Sequence, residues 1–332
     1  MLRRVMERPA EACPLYCGWT NLLYRLAEFM TGQKRILVGL GEVLWDLLPG
    51  GRQLGGAPAN FAYFASLLGN CGIVASRVGD DELGSEAEGM LRRLGSGTNY
   101  LQRDSLHPTG SVQVRVDAAG QAQFEIAQPV AWDYLQWTPA WEQLAEASDA
   151  VCFGTLAQRS PASRETIQQF LRATRPQASR VFDVNLRPPF YSAEVLQASL
   201  ALANVIKLNH DELPLVAKML GIEWRGERAA TEALFRINNC RLVCITRGGG
   251  GSLLISAQGA DEHPGFRVKV ADTVGAGDAF TAALAHHYLL GSSLPQMNES
   301  ANRVGAWVAS QVGATPVPRS GELKIALAAL KS

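Results

Sequence analysis

Residues 272–278 read DTVGAGD, and Asp278 then opens the apolar run DAFTAALAHHYLL. The periodicity of that run predicts a helix, which places Gly275, Ala276 and Gly277 at its start. The first amides of a helix have no acceptor inside it. Small side chains let an anion approach those donors, and the helix dipole favours negative charge there. Asp278, on the first turn, would stand beside that anion and could accept the proton of an attacking hydroxyl. Such a pairing suits phosphoryl transfer. The plainer alternative is a capped helix after a glycine turn.

Two further motifs favour the chemistry. GGAPAN (55–60) is another glycine pair before a helix. Gly55 and Gly56 permit close backbone approach of a polar ligand, and the Asn60 amide can both donate and accept. NHDE (209–212) follows an apolar strand. Asn209 and Glu212, three apart on a first helical turn, can face one ligand or a hydrated Mg²⁺.

These motifs need a scaffold, and the pattern between them supplies one. From Arg35 onward, short apolar runs alternate with helical periods. Strands are expected at 35–42, 72–79, 149–155, 179–185, 203–209 and 241–248, and helices at 58–70 and within ELGSEAEGMLRRLG. Buried strands separated by helices predict an α/β fold with a doubly wound, mostly parallel sheet, whose ligands bind beyond the carboxyl ends of the strands. Polar residues gather at those ends: Asp183, Asn185, Asn209 and Thr246. One segment breaks the rhythm. SVQVRVDAAGQAQFEI (111–126) alternates strictly about DAAG, which predicts a half-exposed hairpin outside the main sheet, acting as a flap or lid.

The 332 residues are 47% hydrophobic and 19% charged, with 31 basic and 31 acidic side chains. That balance gives no reason to expect nucleic acid or an anionic membrane as partner. No apolar run reaches the roughly 18 residues of a membrane span. The six cysteines lack histidines at zinc-ligand spacing, so they are expected as reduced thiols in a cytoplasmic protein. His286 and His287 are adjacent and cannot form an i,i+4 metal pair. Residues 1–33 differ in character from the rest and read as a non-catalytic extension, leaving 34–332 as the folded domain.

Taken together, GGAPANFA and DTVGAGDAF, in this order and about 220 residues apart, resemble the two signatures of the ribokinase/fructokinase, or PfkB-type, carbohydrate kinases. The resemblance covers residues 35 to 320, and DVNLRPPFY (183–191) is most similar to the fructokinase branch. It implies a ribokinase-like domain with helices on both faces of the sheet and a small β-sheet lid from about 43–54 and 109–128. It implies ATP with Mg²⁺, and a sugar as acceptor.

By motif, Asp278 becomes the general base, and Gly275, Ala276 and Gly277 supply the anion-hole amides. Asp46, Gly55, Gly56, Asn60 and Arg187 face the sugar. TRGGGG (246–251) is similar to the family's T-x-G-x-x-G nucleotide loop, which assigns Thr246, Arg247, Gly248 and Gly251 to ATP. Asn209 and Asn302 join them, and Glu212 holds Mg²⁺ through water. Many relatives bind a monovalent cation, here K⁺, near the loop that begins at Asp272.

Departures concern the substrate more than the activity. Arg247 stands where many members are apolar, Val317 where some potassium-dependent members carry serine, and AQPVAWDYL differs from the R-x-P-x-A-D of many fructokinases. Fructose is the first expected substrate, with 2-keto-3-deoxygluconate, ribose or a nucleoside as alternatives. The lid's strand edges suggest a homodimer through lid-to-lid pairing. GLGEVL could open a dinucleotide fold, but Leu44 occupies its third glycine position. A Walker ATPase is excluded because no Gly-Lys pair occurs. A non-catalytic sugar or nucleotide sensor on the same fold would bind without turnover.

Overall fold

The computed structural model describes residues 34–48, 50–116, 122–237 and 240–318. The extension at 1–33, the DAAG turn, and Cys13 and Cys17 lie outside the described residues. The strands, in chain order, are β1 (Ile36–Leu40), β2 (Leu44–Leu48), β3 (Gly51–Gly55), β4 (Cys71–Gly79), β5 (Leu101–Asp104), β6 (Gly110–Val116), β7 (Ala122–Ile126), β8 (Ala150–Phe153), β9 (Ser179–Asp183), β10 (Val205–Asn209), β11 (Leu242–Thr246), β12 (Ser252–Ser256) and β13 (Gly259–His263). The helices are α1 (Ala57–Leu67), α2 (Glu82–Arg93), α3 (Pro139–Ala147), α4 (Pro161–Ala173), α5 (Ala193–Leu202), α6 (Glu212–Met219), α7 (Glu227–Phe235), α8 (Ala276–Leu290) and α9 (Leu294–Ala309).

Nine strands form the main sheet in the order β13-β12-β11-β10-β9-β8-β1-β4-β5. From β5 to β11 every pairing is parallel. The period of two along each strand sends alternate side chains to opposite faces. Val38, Val151, Phe182, Ile206 and Val243 pack in one core with α3 to α7. Leu37, Cys152, Val181, Val205 and Cys244 pack in another with α1, α8 and α9. Fully burying an apolar side chain of this kind contributes about 1.5–3 kcal/mol, so both helix layers are firmly held. Doubly wound topology is therefore confirmed.

Beyond β11 the sheet departs from the expected pattern. β12 and β13 turn back as an antiparallel hairpin. β13 (GADEH) is the polar outer edge, which gives it no apolar signal to read.

The second sheet has four strands in the order β3-β2-β6-β7. Its β6–β7 hairpin stands outside the main sheet, as the alternation requires. Val43, Trp45 and Leu54 dock it on Ala59 and Ala62 of α1 and Ala87 and Leu91 of α2. The Trp45 indole also donates to the Leu83 carbonyl at 3.0 Å.

Cys152, Cys240 and Cys244 are free thiols. Cys71 is disulfide-bonded, which corrects the expectation of uniformly reduced cysteines. Among the described residues no helix is long and apolar enough to cross a membrane.

Candidate active site

At the carboxyl edge of the main sheet the loop after β1 packs on the start of α1 and the end of β9 is bonded to α8. The loop after β9 is tied to the start of α6, and β11 ends beside β10. Gly275 is the N-cap of α8 with φ 77°, a left-handed conformation. A Cβ there would also collide with the Ala314 carbonyl. Glycine is thus required twice over. The Ala276 amide leans on the Thr273 carbonyl at 3.3 Å, while the amides of Gly277 and Asp278 have no backbone acceptor among the described residues before them. Those open donors can serve an anion.

Asp278 stands on the first turn of α8, and its Oδ2 accepts the Asn60 amide N–H at 2.8 Å. The two signature motifs, 218 residues apart, therefore meet in one hydrogen bond. Burial first, then the charge of Asp183, pushes the Asp278 carboxyl up to about 6, against the opposing pull of Asn60, Lys207 and Arg187. Such a carboxyl is ionised at neutral pH yet still basic enough to take a proton.

Beneath it lies an ion pair that the motif reading did not assign. The Lys207 ammonium donates to both oxygens of Asp183, at 3.0 and 3.1 Å. Thr281 of α8 donates to Asp183 Oδ2 at 2.9 Å. Lys207 Nζ would lie 3.3 Å from a Cβ on Gly277, so the charge sits directly under the anion hole. Burial alone would push this ammonium down, but Asp183, Glu212 and Asp278 hold it up and charged. Its signal in the sequence is a lysine inside the apolar run VIKL that leads to Asn209.

Glu42 is the second residue missed. It is 3% exposed, and its Oε2 has no hydrogen-bond partner among the described residues. Burial raises its carboxyl to about 7, opposed by backbone hydrogen bonds and by Arg187. Arg187 itself is exposed and donates to its neighbour's carbonyl, that of Leu186. Its charge is felt by Glu42, Asp46 and Asp278 together and lowers all three carboxyls against the effect of burial.

Asp46 lies in mid-β2 opposite Gln53, and burial raises its carboxyl. A side chain at Gly55 would collide with Asp46 Oδ2, and one at Gly56, where φ is 108°, with the Glu42 carbonyl. The glycine pair thus packs the small sheet onto the site.

On the other side, both Glu212 oxygens accept backbone amides, from Leu186 at 2.7 Å and Asn209 at 2.8 Å. Asn209 Oδ1 caps α6 through the Asp211 and Glu212 amides, both at 2.9 Å. Burial raises the Glu212 carboxyl. Among the described residues no cluster of His, Cys, Asp and Glu forms a metal cage. Glu212 retains carboxylate lone pairs beyond those two bonds, which fits a hydrated ion carried on a ligand's phosphates.

Thr246 ends β11 beside Asn209. Arg247 turns away from it: its guanidinium pairs with Glu227 at 2.5 Å and Glu262 at 3.2 Å. Gly248 and Gly251 have φ of 55° and 82°. Asn302 is buried, donating to Ser252 Oγ at 2.7 Å and to Asn298. Asp272 accepts the amides of Val274 at 3.0 Å and Gly313 at 3.1 Å, pinning its loop to the end of α9.

Residues 50–320 match the model of the pfkB family carbohydrate kinases. The chain belongs to this family. Among its relatives, the uncharacterized sugar kinase PH1459 of Pyrococcus horikoshii is 29% identical over 307 residues, covering 87% of this chain and 94% of that one. A fructokinase of Escherichia coli is 30% identical over 259 residues, 74% of this chain and 81% of that one. The crystal structure of PH1459 with ATP aligns with a TM-score of 0.74 at 28% identity, covering 86% of this kinase and 96% of that chain. The kinase thus has a ribokinase-like fold, and its acceptor class is a sugar.

Proposed function

We propose that the kinase transfers the γ-phosphoryl group of ATP to the primary hydroxyl of a sugar, with fructose as the preferred acceptor. The observation that carries this is Asp278: a carboxyl raised to about 6, hydrogen-bonded to Asn60, at the open N-terminus of α8. The sugar lies between Asp46, Gly55, Gly56 and Asn60 on one side and Arg187 on the other. Asp278 orients the acceptor hydroxyl and takes its proton as the oxygen attacks. The open amides of α8 and the Lys207 charge below them disperse the charge of the group in transfer. The small sheet closes over the sugar and keeps water from competing for the phosphoryl group.

Thr246, Gly248 and Gly251 receive ATP along β11, with Asn302 beside it. Arg247 contributes by fixing this loop to Glu227 and Glu262. Glu212, with Asn209, would hold Mg²⁺ through water, and the ion supplies charge neutralisation on the phosphates. Asp272 organises the backbone carbonyls that would hold K⁺. The free edges of the small sheet, β3 and β7, pair two copies through their lids. Light scattering that gave a monomer at micromolar concentration would remove this last element.

The fructose assignment rests on DVNLRPPFY and on relatives named fructokinase. Relatives named aminoimidazole riboside kinase and 5-dehydro-2-deoxygluconokinase occur at 29% and 30% identity, and Arg187 would also suit a sugar acid. Coupled ADP release with MgATP across fructose, glucose, ribose, 2-keto-3-deoxygluconate and adenosine, with and without potassium, tests the proposal. Dominant turnover on fructose is expected. Preference for another sugar keeps the mechanism and changes the substrate; binding without turnover on any of them would favour a sensor.

A further inference from the structure

Arg159, on the 3-10 turn Leu156–Arg159 after β8, lies outside every motif that carries the kinase reading. Its side chain is 6% exposed and forms a two-point ion pair with Asp133, at 2.7 Å through Nε and 2.8 Å through Nη2. Nη2 also donates to the Ala127 carbonyl at 2.6 Å. Ala127 closes the small sheet, because its amide donates to the Ser111 carbonyl of β6 at 2.9 Å. The guanidinium is thus tied to the last rung of the lid.

Two aromatic rings lie against the same guanidinium. Its central carbon lies 3.9 Å from the Trp132 ring centre and 4.7 Å from that of Phe190. Phe190 closes the turn that bears Arg187, its amide donating to the Arg187 carbonyl at 2.7 Å. Among the described residues the Arg187 side chain bonds only its neighbour's carbonyl, so the docking of Phe190 holds this exposed arm at its base. Nη1 of Arg159 is buried with no partner among the described residues.

We propose that Arg159 is a positioning residue for the sugar end of the site, joining the last rung of the small sheet to the turn that carries Arg187. The sheet and the arm thereby adopt their sugar-binding arrangement together. This rests on the sugar-kinase reading of Arg187. Asp133 neutralises the guanidinium, so Arg159 acts through shape and stacking, and its influence on the sugar passes through Arg187.

A double-mutant cycle tests this. Phe190→Leu removes the stacking ring from a partly exposed turn and leaves the buried Arg159–Asp133 pair intact. Arg187→Ala removes the arm. Sugar affinity is measured by calorimetry, and KM for sugar and for ATP by turnover, using the best sugar of the panel. Phe190→Leu should weaken sugar binding about fivefold or more, the scale of coupled neighbours, with KM for ATP within about twofold. In the Arg187→Ala background the same change should matter less than about twofold. Arg159→Lys, which keeps the charge but loses the fork and flat face, should behave as Phe190→Leu does. Equal effects of Phe190→Leu in both backgrounds, an equal rise in KM for ATP, or no effect would overturn the proposal. A wild-type protein that binds no sugar overturns the sugar reading and the proposal together. Turnover with an additive cycle overturns the proposal alone.

Discussion

At the scale of single residues, the site is an arrangement of charges around Asp278. Asp183 on β9, Glu42 after β1 and Glu212 on α6 raise the local negative potential, while Lys207 on β10 and Arg187 after β9 lower it. The base works when ionised, so kcat/KM for the sugar should fall below about pH 6, close to tenfold per pH unit. Lys207→Met removes a cation that favours the ionised form. It should move this acid limb to higher pH, besides leaving Asp183 buried and unpaired. A pH–rate profile of both proteins measures it, and an unmoved limb would contradict the assigned coupling.

At the scale of elements, the helix start that opened the reading depends on Gly275. Gly275→Ala places a side chain at φ 77° and against the Ala314 carbonyl. The turn must then shift, displacing the open amides. A displacement near 1 Å costs about 10²-fold in turnover. Circular dichroism should show an intact fold, and near-normal kcat would contradict the anion-hole geometry.

Much of this was legible in the sequence. The parallel strands are short buried runs, and the glycine pairs announce their own turns. The β6–β7 hairpin gave itself away by strict alternation. Less legible were β5 (LQRD) and β13 (GADEH), both at the edges of the main sheet and too polar to show a buried pattern. Lys207 and Glu42 carry no motif, because their importance comes from contacts between elements. Nothing beside Lys207 in VIKLN signals that Asp183, 24 residues earlier, completes it. The inward turn of Asn302 and the pairing of Arg247 with two acids are likewise properties of packing.

At the scale of the whole molecule, two sheets divide the work. The nine-stranded sheet fixes Asp183, Lys207, Asn209 and Thr246 at one edge, and the four-stranded sheet carries Asp46, whose carboxyl feels the Arg187 charge. The hydrogen bond from Asn60 to Asp278 joins the first signature to the second, and the central claim is that this junction transfers a phosphoryl group to a sugar. Asp278→Asn is the most direct test because it keeps the size of the side chain and an acceptor for Asn60. The raised Asp278 carboxyl binds its proton more tightly in the folded state, so ionising it costs stability as pH rises from about 4 to about 6. The variant should therefore be at least as stable as the wild type at neutral pH. The decisive measurement is sugar-dependent ADP release by wild type and Asp278→Asn side by side. The account predicts a loss of at least about 10²-fold in kcat with ATP binding and melting temperature preserved. Substantial turnover by the variant would contradict it.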